Sequence, residues 1–356
     1  MPVDGLGGLM DILVLAVAFV VILVGSELFT NGVEWLGHKL ELGEGAIGSV
    51  LAAVGTALPE TMIPFIAIVF GGGIQGGEVG IGAILGAPFM LATLAMFVTG
   101  TAAWSMRGRR ATGEVLNVAP SVLSHDMSYF AVAYAIAVGA ALLPVELEWP
   151  RRAIAVALLA IYARHVWGHL SAEAAEHEGL EPLRFHRLDR RAPQHPEPPR
   201  LPIVTVQVAF ALACIIGGAW GFVQAIEDMA SSLGVNGTLL ALVIAPIATE
   251  LPEKLNSVIW VSRGKDTLAL GNVTGAMVFQ SAFPTSVGLI FAPALWSVAG
   301  AGVAFFSAII TFASSAAVIL PMVLRGRLTA RALMIGGVFY LSYLCLVVFS
   351  ISRPGG

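Results

Sequence analysis

Charge is scarce in this 356-residue chain: Asp, Glu, Lys and Arg make up 12% of it, against 57% apolar residues. A soluble globular domain carries roughly a quarter charged residues, so a water-soluble fold is excluded. Cysteine is scarcer still. Cys214 and Cys345 lie in separate apolar stretches, where they read as packing residues, and no disulfide framework exists. The formal net charge is −4, and no basic tract, zinc-ligand spacing or aromatic–basic interleaving marks a nucleic-acid partner. Gly-x-Ser-x-Gly, phosphate-loop and His-Glu-x-x-His strings are also missing, which removes the usual grounds for hydrolysis or ATP-driven work. The chain reads as a non-enzyme with no permanently bound cofactor.

Long apolar runs are what the chain has in excess, and its mean hydropathy is +0.85. A helix that spans a bilayer needs about 20 apolar residues. Runs of that kind fall at about 9–35, 43–70, 78–104, 121–143, 152–170, 202–231, 236–261, 266–293, 298–324 and 330–352. The first is too long for a signal-peptide core and reads as a retained helix. The expected fold class is an all-α integral membrane protein with about ten transmembrane helices. The one long polar stretch, 171–200, separates a five-helix half at 1–170 from another at 201–356. Basic residues accumulate in cytoplasmic loops. Threading ten helices puts fourteen Lys and Arg on the side of loop 171–200 and three on the other, with Arg164 and Lys254 inside helices. Loop 171–200 is therefore expected in the cytoplasm, with both termini outside a cell membrane. An odd number of helices per half inserts the halves in opposite orientations.

The halves also resemble each other. At an offset of 193 residues Gly25 matches Gly218, Phe29 matches Phe222, Glu34 matches Glu227 and Leu40 matches Leu233. At the same offset Thr56 matches Thr249, and Leu58-Pro59-Glu60 matches Leu251-Pro252-Glu253. Inverted repeats imply a pseudo-two-fold axis in the membrane plane, and transporters so built bind substrate near the midplane on interrupted helices. Gly82 and Gly86 match Gly271 and Gly275 at a slightly changed offset. These pairs are expected to let helices pack closely against the Glu-bearing ones.

Glu60 and Glu253 lie in otherwise apolar helices. An ionisable group at the bilayer centre costs about 2.5–3.5 kcal/mol on insertion scales, so a cation, a proton or a basic partner must offset it. Pro59 and Pro252 each remove one helical hydrogen bond and free a carbonyl about one turn earlier. Thr56 and Thr249 add hydroxyls four residues before each Glu. Carboxylate, hydroxyl and carbonyl are hard oxygen ligands of the kind that calcium gathers six to eight at a time. Two carboxylates balance one divalent cation, and the thiolates or clustered imidazoles that zinc and copper prefer are missing from this set. Gln280 can offer a neutral oxygen or bond a helix backbone. Glu250 can be a third acidic ligand, or the partner of Lys254 at the favourable i,i+4 spacing.

Several other residues keep two readings. His165 and His169, four apart, can bind a transition metal or form a solvated helix end. His125-Asp126 can be a proton-linked pair or an interfacial cap. Glu27, Glu34 and Glu227 can line an ion pathway or sit at the interface.

Taken together, GTALPE (55–60), ATELPE (248–253), GSELFTNG (25–32) and the Gly-Asn-x-x-Gly string at 271–275 resemble the cation/calcium antiporter superfamily, and most closely its sodium/calcium exchanger branch. The resemblance covers both repeat cores, about half the chain. It implies two inverted five-helix repeats, with Glu60 and Glu253 as central calcium ligands and Thr56 and Thr249 contributing oxygens. Sodium would occupy overlapping and flanking sites. The implied function is a secondary antiporter that exchanges calcium, or a similar divalent cation, for sodium by alternating access. The chain departs from the family pattern at Ala57 and Glu250, where the motifs carry Ser, and at Leu91 and Gln280, where a ligand Asn or Asp is usual. Oxygens of the flanking sodium sites are thereby lost while the central pair survives, which motivates a proton-coupled alternative. A reading of another class is a non-transporting membrane scaffold or cation sensor with Lys254 as a built-in cation.

Overall fold

The structure is a computed structural model that describes residues 5–39, 53–71, 73–170, 182–188, 199–235 and 237–351. Nearly all of them are helical. In the first half lie α1 (Gly5–Lys39), α2 (Ala53–Phe70), α3 (Ile74–Met90), α4 (Met96–Ser105), α5 (Pro120–Ala140) and α6 (Glu148–Leu170). In the second lie α7 (Leu201–Leu233), α8 (Gly237–Thr249), α9 (Leu251–Ser262), α10 (Asp266–Phe291), α11 (Val298–Ala301), α12 (Phe306–Arg325) and α13 (Ala330–Ile351). A π-helical turn, Leu91–Ala95, joins α3 to α4 into one long rod.

Local chemistry sets several of these ends. Pro120 and Pro202 occupy the first turns of α5 and α7, where a missing N–H costs nothing. Gly234 closes α7 at φ 64° and Gly326 closes α12 at φ 64°, the left-handed geometry that glycine adopts without strain. Among the described residues, five segments are long and apolar enough to cross a membrane: Met10–Val33, Gln75–Ser105, Leu201–Leu233, Ala269–Phe291 and Ala330–Phe349.

Burial separates centre from periphery. The α3–α4 rod and α10 are 83% and 72% buried over their most apolar windows, whereas α1 and α7 are each 28% buried. Outward-facing Leu13, Val17, Val20, Phe210 and Trp220 give α1 and α7 a surface suited to lipid chains. The two central helices exchange partners: the α3–α4 rod of the first half packs on α12 and α13, and α10 of the second half packs on α5 and α6.

The pairing of α1 with α7 is reciprocal in detail. A Cβ at Gly25 would stand 3.0 Å from Ile215 Cγ1 and 3.1 Å from the Ala211 carbonyl. A Cβ at Gly218 would stand 2.7 Å from Ile22 Cγ1 and 3.1 Å from the Ala18 carbonyl. Each glycine thus meets the residues that correspond, at the 193-residue offset, to those met by the other.

The loops sort to two ends. Arg110 binds Asp266 through Nη2–Oδ2 at 2.6 Å, and Val115–Leu116 pairs antiparallel with Leu328–Thr329. The basic stretches after α4, before α10 and between α12 and α13 therefore share one end. At the other end Arg151 donates to the carbonyls of Leu143 and Pro293, and Trp296 Nε1 donates to Ala137 O at 2.9 Å. Arg151, one of the three cations that threading counts on the side away from loop 171–200, is buried; its stem lies in α6 while its guanidinium caps carbonyls of two loops.

Candidate functional site

The two motif strings occupy corresponding helices but differ in backbone. In the first, α2 runs unbroken through Pro59 and carries Glu60, which is buried. In the second, the helix stops at Thr249 and restarts at Leu251, with Glu250 between them at φ −93°, ψ 6°. Pro252 sits in the first turn of α9. A proline cannot donate into the ladder and crowds the carbonyl of the preceding turn, so the break falls here. Glu253 is the third residue of α9, Thr249 the last of α8, and Thr56 lies in the first turn of α2. The side chains of these three fall outside the described residues, as does that of Glu34.

Glu250 and Lys254 are both buried, and Lys254 Nζ lies 3.1 Å from Glu250 Oε2. The helix restart brings them together: the Lys254 N–H donates to the Glu250 carbonyl at 3.1 Å, forming the first turn of α9. The pair is internally neutral, so Lys254 places no net charge beside the motif.

Gln280 is buried on α10, a helix that packs against α2, α9, α5 and α6. Among the described residues its side-chain Oε1 meets no hydrogen-bond donor, so a buried neutral oxygen is available on a helix adjacent to the one carrying Glu60. Its counterpart in the first half, Leu91, is buried in the π turn. That turn follows Pro88 and leaves the Ala92 carbonyl to accept from Ser314 Oγ at 2.7 Å. The position where an oxygen ligand would repeat is therefore packed with hydrocarbon.

Of the four glycines singled out in the sequence, Gly82 makes the close approach: a Cβ there would collide with the Thr238 carbonyl at the start of α8. Gly271 has ordinary contact with Val122 at 3.6 Å, and a Cβ at Gly275 would meet nothing within 4 Å. On the side away from the basic loops, Glu78 and Glu227 line a cavity of about 200 Å³ together with Gln75, Ser231 and Gly234. Glu227 thus opens onto a polar recess, and Glu78 joins it there. The sequence reading missed Glu78, which has no counterpart in the matched strings. Glu27 is exposed and pairs with Arg184 at 3.0 Å.

The histidines depart from both of their bland readings. His165 is buried, with Nε2 3.0 Å from Asp126 Oδ1, so it is no solvated helix end. Asp126 is buried six residues into α5, and its Oδ2 accepts from Thr274 Oγ1 at 2.7 Å. The side chain of His169 falls outside the described residues.

The model of the sodium/calcium exchanger protein family matches residues 10–168 and 203–352. A protein of Alkalimonas amylolytica named "Putative antiporter CaxA" is 36% identical over 107 residues, 30% of this chain. The match spans 34% of that relative's own length. Among solved structures, the H+/Ca2+ exchanger CAX superposes with a TM-score of 0.65 at 14% identity, over 97% of this chain and 82% of that one. The sodium-calcium exchanger NCX_Mj, soaked with 2.5 mM Na+ and 10 mM Sr2+, gives a TM-score of 0.52 at 16% identity over 95% and 99%. At these identities the structural likeness is one of fold.

Proposed function

The chain belongs to the sodium/calcium exchanger protein family and is a membrane protein, and from that premise we propose that it is a secondary antiporter exchanging calcium, or a similar divalent cation, for a monovalent counter-ion by alternating access. The observation that carries this reading is the burial of Glu60 within the apolar helix α2, matched in sequence by Glu253 just beyond the break between α8 and α9.

In this reading the two carboxylates hold the transported ion, with Thr56, Thr249 and the buried Oε1 of Gln280 supplying neutral oxygens. Glu250 serves as the partner of Lys254, supported by their 3.1 Å contact. Two carboxylates with one calcium, or with two protons, are electrically neutral. The same site left empty carries two negative charges through a low-dielectric interior and is too costly to reorient. That asymmetry couples the two fluxes.

The scaffold is two inverted five-helix repeats, 1–170 and 201–356, about ten spanning helices in all, with 171–200 between them. The swapped contacts of Gly25 and Gly218 support a two-fold relation between the halves. The basic end, held by Arg110–Asp266, faces the cytoplasm by the positive-inside bias, which leaves both termini outside. The recess of Glu78 and Glu227 then opens outward, where acidic side chains concentrate cations.

The site chemistry favours protons as counter-ion. Buried Leu91 and the neutralised Glu250 leave few oxygens for flanking sodium sites, whereas protons need only the central carboxylates. Sodium is the second reading, supported by the motif resemblance. Calcium flux in proteoliposomes, under separately imposed proton and sodium gradients, tests both. Uptake driven by a pH gradient without sodium is expected. Uptake that responds to sodium alone favours the second reading, and no flux under either gradient overturns the transporter reading in favour of a scaffold or sensor.

A further inference from the structure

We propose that His125, Asp126 and His165 form a second metal site, separate from the transport carboxylates, that takes a borderline transition-metal divalent cation of the zinc class. One ligand atom from each of the three lies within 4.8 Å of the others. The donor set is two imidazole nitrogens and one carboxylate oxygen. Zinc takes such sets, commonly with three protein ligands and an open fourth position for water. The transport motifs offer oxygen only, so the two places select different cations.

The geometry is close to what a tetrahedral ion requires. Bonds of about 2.0–2.1 Å place neighbouring ligand atoms about 3.3 Å apart. His165 Nε2 and Asp126 Oδ1 are 3.0 Å apart, and His125 Nδ1 is 3.8 Å from the same oxygen. The remaining edge, between the imidazoles, closes by a shift of the His125 side chain, which at 38% exposure is the least buried of the three. The two rings already stack at 5.3 Å between centroids.

The other two ligands are held. Asp126 and His165 are buried, and the second Asp126 oxygen accepts from Thr274 Oγ1 at 2.7 Å. An outer hydrogen bond of this kind orients a ligating carboxylate. The site lies between α5 and α6, and Thr274 ties it to α10, six residues before Gln280. Occupancy would therefore brace α5 and α6 against α10, the second half's central helix, at the end where the basic loops lie.

The test uses the full-length protein without a histidine tag, purified in detergent, stripped with chelator and titrated calorimetrically with Zn2+. The background is Glu60→Gln, so that binding through the transport carboxylates is suppressed. One equivalent of Zn2+ per chain is expected to persist in that background. His125→Ala should abolish it with little change in the metal-free melting temperature, because the replaced side chain is the least buried of the three. His125→Cys should restore it through a thiolate, and Thr274→Val should weaken it about tenfold. Zn2+ binding that survives His125→Ala, or that is missing from the Glu60→Gln protein, overturns the proposal and leaves His165–Asp126 as a hydrogen-bonded tie between helices.

Discussion

At the scale of single residues, the buried pair Glu250–Lys254 separates structural from functional charge most sharply. Its 3.1 Å contact joins side chains that are almost wholly out of solvent. Removing one member of a buried pair strands the other charge and typically costs about 3–5 kcal/mol, whereas replacing both by neutral groups is often near neutral. Lys254→Met should therefore lower the melting temperature of the detergent-solubilised protein steeply. Adding Glu250→Gln to it should recover most of the loss. If Glu250 instead serves the ion directly, the double variant would melt normally and lose calcium affinity. The i,i+4 spacing made this pair legible in the sequence. The bond between His165 and Asp126 was not legible, because its partners are 39 residues apart on different helices and a charged dipeptide near a helix start looks interfacial. Thr274, an ordinary hydroxyl in a Gly-rich string, gave no signal of the carboxylate it holds.

At the scale of elements, two nearly identical strings behave differently. Pro59 is accommodated within α2, while Pro252 starts a new helix after Glu250. Periodicity and the position of proline located both motifs but not which one would break. The strings differ at the position three before the Glu, Ala57 in the first and Glu250 in the second, and Glu250, with its side chain engaged by Lys254, takes the non-helical turn. The glycines divide in the same way. Spacing pairs Gly82 with Gly271, yet of the two only Gly82 packs against a backbone carbonyl, that of Thr238, and Gly275 meets nothing within 4 Å. Gly82→Val should push α3 away from α8, costing about 1–3 kcal/mol by overpacking and lowering calcium flux. Gly275→Val meets open space and should leave the melting temperature unchanged. Parallel thermal melts of the two variants check this contrast. Helix ends were otherwise well marked by hydropathy, since the expected run 202–231 corresponds to Leu201–Leu233 and 330–352 to Ala330–Ile351.

At the scale of the whole molecule, the central α3–α4 rod and α10 each pack on helices from the opposite half. Neither half buries its own apolar faces alone. The sequence carries identities between the halves at a constant offset of 193 residues. The reciprocal seating of Gly25 and Gly218 was not legible there, because contact between α1 and α7 depends on helix pairing that composition does not encode. The account rests on two carboxylates, one from each half, sharing a divalent ion. Calcium self-exchange across proteoliposomes, with calcium on both sides and no other gradient, tests this without reference to the counter-ion. Glu60→Gln and Glu253→Gln, each reconstituted at wild-type yield, are expected to reduce that exchange to the level of protein-free vesicles. Full exchange by either variant would contradict the shared site.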